Sequence, residues 1–95
     1  MEYNAGTTAY RAGQFPQATR SFQQSIKVAP ASDAKRLADQ EDAYYNLGNA
    51  LYRAGQQLEK SAPQQAIQEW TEAVKAYDTA LQLRAADADL QRSGV

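Results

Sequence analysis

Apolar residues recur along this chain at helical spacing, and no segment shows the strict alternation of a strand. Phe15, Ala18, Phe22 and Ser25/Ile26 form one stripe, and Ala5, Ala9 and Ala12 form another at i, i+4, i+7 in the segment before it. Between them Gly13 suits the residue after a helix end, where a left-handed backbone is cheap, and Pro16 suits the first turn of the next helix. Pro30 stops that helix. Further on, Leu37, Tyr44, Leu51 and Leu58 recur every seven residues and run past Gly55, which then lies inside a helix at a cost of ~1 kcal/mol relative to Ala. Facing this seam, Ala66/Ile67, Trp70, Ala73/Val74, Tyr77 and Ala80/Leu81 make a second one, with Ser61 as its cap and Pro63 in its first turn. The pattern predicts two antiparallel helix pairs. The second is longer, with helices over about 32–60 and 62–85, the first of them capped by Ser32 or Asp33.

The chain also resembles itself. Shifted by 42 residues, Glu2–Gln14 falls on Tyr44–Gln56 with eight of thirteen positions identical, including Asn4/Asn46, Gly6/Gly48, Tyr10/Tyr52, Arg11/Arg53 and Gly13/Gly55. Shifted by 55, Phe15, Ala18, Phe22, Ser25, Ile26 and Val28 fall on Trp70, Ala73, Tyr77, Ala80, Leu81 and Leu83. Two lags mean two copies of one helix pair, with 13 extra residues inside the second pair.

The repeated pattern, YNLGNALYRAG followed by A-x3-[FY]-x2-[AS], resembles the tetratricopeptide repeat, a helix–turn–helix unit of 34 residues. Gly6, Ala9, Gly13, Phe15, Ala18, Phe22, Ser25 and Pro30 carry it in the first copy. The first copy has Glu2 where Tyr44 stands in the second, and the second has Ala85 in place of a closing proline. The resemblance covers about residues 1–85 and implies an all-α, right-handed superhelical stack: a first helix pair over 1–31, an extended pair over 32–85, and a partial capping helix or tail over 86–95 opening at Asp87. The abrupt start at Met1 and the short tail suggest a segment of a longer protein.

Composition supports the helical reading and narrows the function. Of 95 residues, 19 are Ala and 12 are Gln, and β-branched residues are scarce, so little is present from which to build sheet. Histidine and cysteine are absent, which removes disulfides, thiol and imidazole nucleophiles and the commonest metal ligands. Ten Lys+Arg against eleven Asp+Glu leave no basic field for nucleic acid or an anionic membrane. No apolar run is long enough to span a bilayer. The closest carboxylate pairs, Glu41–Asp42, Glu69/Glu72 and Asp87/Asp89, read as solvated helix faces. Glycine-rich phosphate loops are missing as well, so no enzyme, cofactor or metal is expected.

A binding surface is expected instead. Tyr3, Thr7 and Tyr10 share a stripe on the first helix, flanked by Asn4 and Arg11. Asp42, Tyr45, Asn49 and Tyr52 do the same on the third, flanked by Asn46 and Arg53. The resemblance implies that these stripes lie side by side in a concave groove holding an extended peptide or a partner helix; the plainer reading is that they pack the helices together. Tyrosines, amides and arginines suit a groove, combining contact area with hydrogen bonds to a peptide backbone. Repeat domains that clamp chaperone C-terminal carboxylates have Lys and Asn where Tyr3 and Thr7 stand here. Only Asn46 matches, and Asp42 occupies a place that wants a base, so a neutral or partly basic ligand is expected. Trp70 reads as a core residue sealing the long hairpin, the alternative being an apolar patch with Leu58 and Ile67.

The second repeat, with its glutamine-rich insertion and W-x6-Y-D-x-A-L-x-L end, is similar to bacterial tetratricopeptide proteins that accompany von Willebrand factor A-domain proteins in aerotolerance-type gene clusters. That similarity implies a scaffold at the cytoplasmic or periplasmic face of a membrane assembly, bound to a protein or peptide partner without inserting into the membrane. The alternative is self-association through the long hairpin or the exposed C-terminal face.

Overall fold

The computed structural model describes residues 2–28 and 34–93; within these, the side chains of 2–4, 27–28, 34–36, 90–91 and 93 lie outside the description. Four helices follow in order, α1 (Glu2–Arg11), α2 (Phe15–Val28), α3 (Ala34–Leu58) and α4 (Pro63–Ser93), with no strand among the described residues. Each packs on the next along the chain. α1 ends in a Schellman motif: Gly13 has φ +79°, its N–H donates to Tyr10 O at 3.0 Å, and the Gln14 N–H donates to Ala9 O at 2.9 Å. The next intrahelical bond, Ala18 N–H to Gln14 O at 3.0 Å, makes Gln14 the cap of α2, with Pro16 inside the first turn.

Glycines placed opposite aromatic rings set the spacing within both hairpins. A methyl group on Gly6 would lie 2.7 Å from Phe22 Cε1, and one on Gly48 would lie 2.7 Å from Tyr77 Cδ1. These two pairs are equivalent under the repeat, so each α-hairpin closes on the same contact. The second hairpin adds a third pair, since a methyl group on Gly55 would lie 2.6 Å from Trp70 Cδ1, and the indole donates its Nε1–H to Tyr52 O at 3.2 Å. Glu41, Gly48 and Gly55 on α3 oppose Arg84, Tyr77 and Trp70 on α4, an antiparallel register in steps of seven. The core runs through both hairpins: Ala9, Ala18, Phe22, Leu47, Ala50, Leu51, Ala73 and Ala76 are buried together, with Ile26, Tyr44 and Tyr77 packed against them. Gln57 Nε2–H donates to Gly13 O at 3.3 Å, tying the extended end of α3 to the first turn. The molecule is elongated, 52 × 25 × 18 Å, because α4 alone spans about 46 Å at 1.5 Å per residue.

Several sequence expectations give way to this arrangement. Ala5 and Ala12 are exposed; of the α1 alanines only Ala9 is buried. Under the 42-residue shift Ala5 and Ala12 match Leu47 and Ala54, which are buried on α3. No described helix packs on that side of α1, whereas the matching side of α3 meets α2. Ser61 is exposed and does not cap α4: Ala66 N–H bonds to Ala62 O at 3.0 Å, which puts Ala62 at the cap and Pro63 first in the helix. α4 does not stop near 85, since no proline or glycine interrupts it there, and the expected separate capping helix over 86–95 is its continuation to Ser93. On α4, Ala66, Ala73, Ala76 and Ala80 form the buried seam, whereas Ile67, Val74 and Leu81 point outward. The caps expected at Ser32 or Asp33 and the stop at Pro30 lie outside the described residues.

Candidate interaction surface

The stripes predicted on α1 and α3 do not make one uniform groove; they divide between two clefts and an aromatic junction. Thr7, Tyr10 and Arg11 of α1, with Asn46 of α3, line a shallow cleft of about 100 Å³ over Phe22. Tyr10 is half-buried, packs against the core and meets Phe15 edge-on with ring centroids 5.2 Å apart. The Arg53 guanidinium lies over the other side of that junction, 5.2 Å from the Phe15 centroid. Tyr10 of α1 and Arg53 of α3 thus both pack on Phe15 of α2, Tyr10 half-buried and Arg53 exposed. Tyr3 and Asn4 lie on α1, but their side chains are outside the description.

A larger cleft, about 510 Å³, opens between α3 and α4. Asp42 and Tyr45 enter it from α3, and Tyr77, Ala80, Leu81 and Arg84 from α4, with Glu41 at the rim. Arg84 Nε–H reaches Glu41 Oε2 at 3.3 Å across its mouth. Tyr77 forms the floor. Its hydroxyl donates to Asn49 Oδ1 at 2.5 Å, and its ring lies 5.8 Å from that of Tyr45 at a tilt of 55°. Burial raises the Tyr77 phenol above its ordinary pKa of 10.0, and the neighbouring Tyr45, Tyr10 and Tyr52 hydroxyls push it in the same direction. Asn49 is thereby occupied in holding Tyr77. Tyr45 is 56% exposed and Tyr52 46% exposed, with the Tyr52 hydroxyl accepting from Gln56 Nε2–H at 3.3 Å.

The sequence reading missed the α4 half of this cleft. The seam puts Leu81 and Tyr77 in the core; Tyr77 does pack against it while also bordering the cleft, whereas Leu81 is 61% exposed. One signal was present: the 55-residue shift matches Leu81 to Ile26, which is itself only half-buried. Trp70 is half-buried on Gly55, in keeping with its sealing role, while Ile67 near the hairpin tip is 53% exposed. Chemically the cleft offers two phenol rings and a leucine for apolar contact, a carboxylate in Asp42, and a charged pair at one lip. Among the described residues no helix is long and apolar enough to cross a membrane. Compared with models of protein families, with curated proteins and with solved structures, the chain matches none.

Proposed function

We propose that the chain is a non-enzymatic interaction module, two tetratricopeptide-type helix pairs in a right-handed stack, which holds a peptide or a partner helix on the face built from α1, α3 and the outer side of α4. The repeat-equivalent closures Gly6/Phe22 and Gly48/Tyr77 support the repeat reading. The observation that carries the function is the open cleft of about 510 Å³ walled by Tyr45, Tyr77 and Leu81. Rigid aromatic walls beside a carboxylate give area, orientation and a counter-charge for a ligand with a basic residue. The shallow cleft of Thr7, Tyr10, Arg11 and Asn46 extends the same surface toward α1. Self-association is a second reading, favoured by the exposed stripe Ile67, Val74 and Leu81.

The test starts from an unbiased pull-down to obtain a partner, followed by titration against the variant Tyr45→Ala/Tyr52→Ala. Both rings are exposed, so helicity is retained, and affinity falls at least about tenfold if the rings are binding anchors. An unchanged affinity sinks this reading.

A further inference from the structure

The two ends of the helix stack are repeat-equivalent to the two sides of its internal joint. α2 is flanked by α1 and α3, and it buries Thr19 (9% exposed) and half-buries Ile26 against the cluster that holds Leu47 and Ala50. Shifted by 55, Thr19 and Ile26 become Val74 and Leu81, which are 66% and 61% exposed. The face of α2 that α3 covers thus has an uncovered counterpart on α4. The element that does the covering has an uncovered counterpart too. α3 buries Leu47, Ala50 and Ala54, and their matches at a shift of 42 are Ala5 and Thr8 on α1 and Ala12 in the turn after it, all exposed.

We infer that a second copy of this chain docks its α1 on the outer face of α4, in the place that α3 takes on α2. The contact continues the α2–α3 joint from one molecule to the next, setting Ala5, Thr8 and Ala12 against Val74, Leu81 and the Tyr45–Tyr77 cleft. Charge fits the same placement. Arg53 lies over Phe15, so the equivalent Arg11 of the second copy falls over Trp70, the match of Phe15, with Glu69 beside it in sequence. Because the two surfaces differ, the contact is heterologous and does not close, so copies add head to tail. A single short helix with a small-residue stripe gives an interface below roughly 1,200 Å², so the association is weak and concentration-dependent. The inference rests on the proposal that the α3–α4 cleft is an interaction site, and it names the occupant.

Sedimentation of the full chain at rising concentration, up to about 1 mM, reads the outcome. A weight-average mass that climbs without a plateau at two is expected. Two variants separate the ends: Val74→Glu/Leu81→Glu blocks α4, and Ala5→Glu/Thr8→Glu blocks α1, all at exposed positions, with circular dichroism confirming the fold. Each variant alone stays monomeric where the wild type associates, and an equal mixture forms one dimer through the two intact ends. A wild type that stays monomeric throughout overturns the inference, as does a mixture with no dimer. An α1-blocked variant that still dimerises, pairing α4 with α4, overturns it as well. The partner titration with Tyr45→Ala/Tyr52→Ala is independent: binding lost there while the wild type stays monomeric leaves the cleft as a binding site and removes only the second copy as its occupant.

Discussion

Two positions related by the repeat carry side chains that run against their surroundings. Thr19 is buried and its hydroxyl oxygen has no hydrogen-bond partner, while its match, Val74, stands in solvent. An unmet buried hydroxyl costs about 1–3 kcal/mol, and an isosteric apolar group removes that cost. Thr19→Val is therefore expected to stabilise the chain by about 1 kcal/mol, read as a rise in Tm of about 4–8 °C for a domain of this size. Gly55 gives the opposite case. Helix propensity alone favours Ala there by about 1 kcal/mol, but the new methyl would press into the Trp70 indole, which is held by its bond to Tyr52 O. Overpacking of this kind costs about 1–3 kcal/mol, so Gly55→Ala is expected to lower Tm, and a rise would show that the indole moves aside freely. The glycines show what single residues disclosed in advance. The motif marked Gly6, Gly13 and Gly48 as special, and the seven-residue seam from Leu37 to Leu58 placed Gly55 in mid-helix. Which ring each one faces required the partner helix to be in place, and Gly13 and Gly55, matched by the repeat, differ in role because α3 runs on past Gly55 while α1 has already ended.

At the level of elements, periodicity located all four helices, and the start of α4 fell within one residue of the expected 62. Its end did not, because the residues after Ala85 neither break a helix nor bury an obvious stripe, so composition gave no stop. Burial was legible where a helix has described neighbours on both sides, as for Phe22 on α2 and Leu51 on α3. It failed for Ala5, Ala12, Val74 and Leu81, which no described helix covers. The same logic sets local stability. Of the described side chains of residues 85–89 and 92 on α4, none is in the buried core, and Arg84, which pairs with Glu41 of α3, has its side chain 73% exposed. Such a surface pair contributes at most about 1 kcal/mol. Hydrogen exchange is expected to show amides 86–93 opening well before those of 66–80, and equal protection across α4 would refute this division.

At the scale of the whole molecule, Tyr77 ties stability to alkaline pH. With no histidine, no imidazole step crosses pH 5–8. Tyr77 has a raised pKa in the folded chain, so the unfolded chain loses this proton first, and the stability the phenol contributes is intact below pH 10 and lost as pH rises through its folded value. Denaturation measured across pH 8–12 is expected to show a decline that Tyr77→Phe flattens; an identical decline in the variant would assign it elsewhere. The candidate site was half legible at this scale. Asp42 and Tyr45 were identified from their stripe on α3, whereas the α4 wall needed the register of the long hairpin. That register, with Glu41, Gly48 and Gly55 stepping past Arg84, Tyr77 and Trp70, makes the hairpin behave as a ruler. Seven residues are close to two full helical turns, so inserting one heptad in each arm rotates the tip by only about 20°. It also carries the loop about 10 Å farther from the first helix pair. Length can thus vary in whole rungs without disturbing the cleft at the other end, whereas an insertion of two residues, about 200° of turn, would swing the tip onto a different side of the stack.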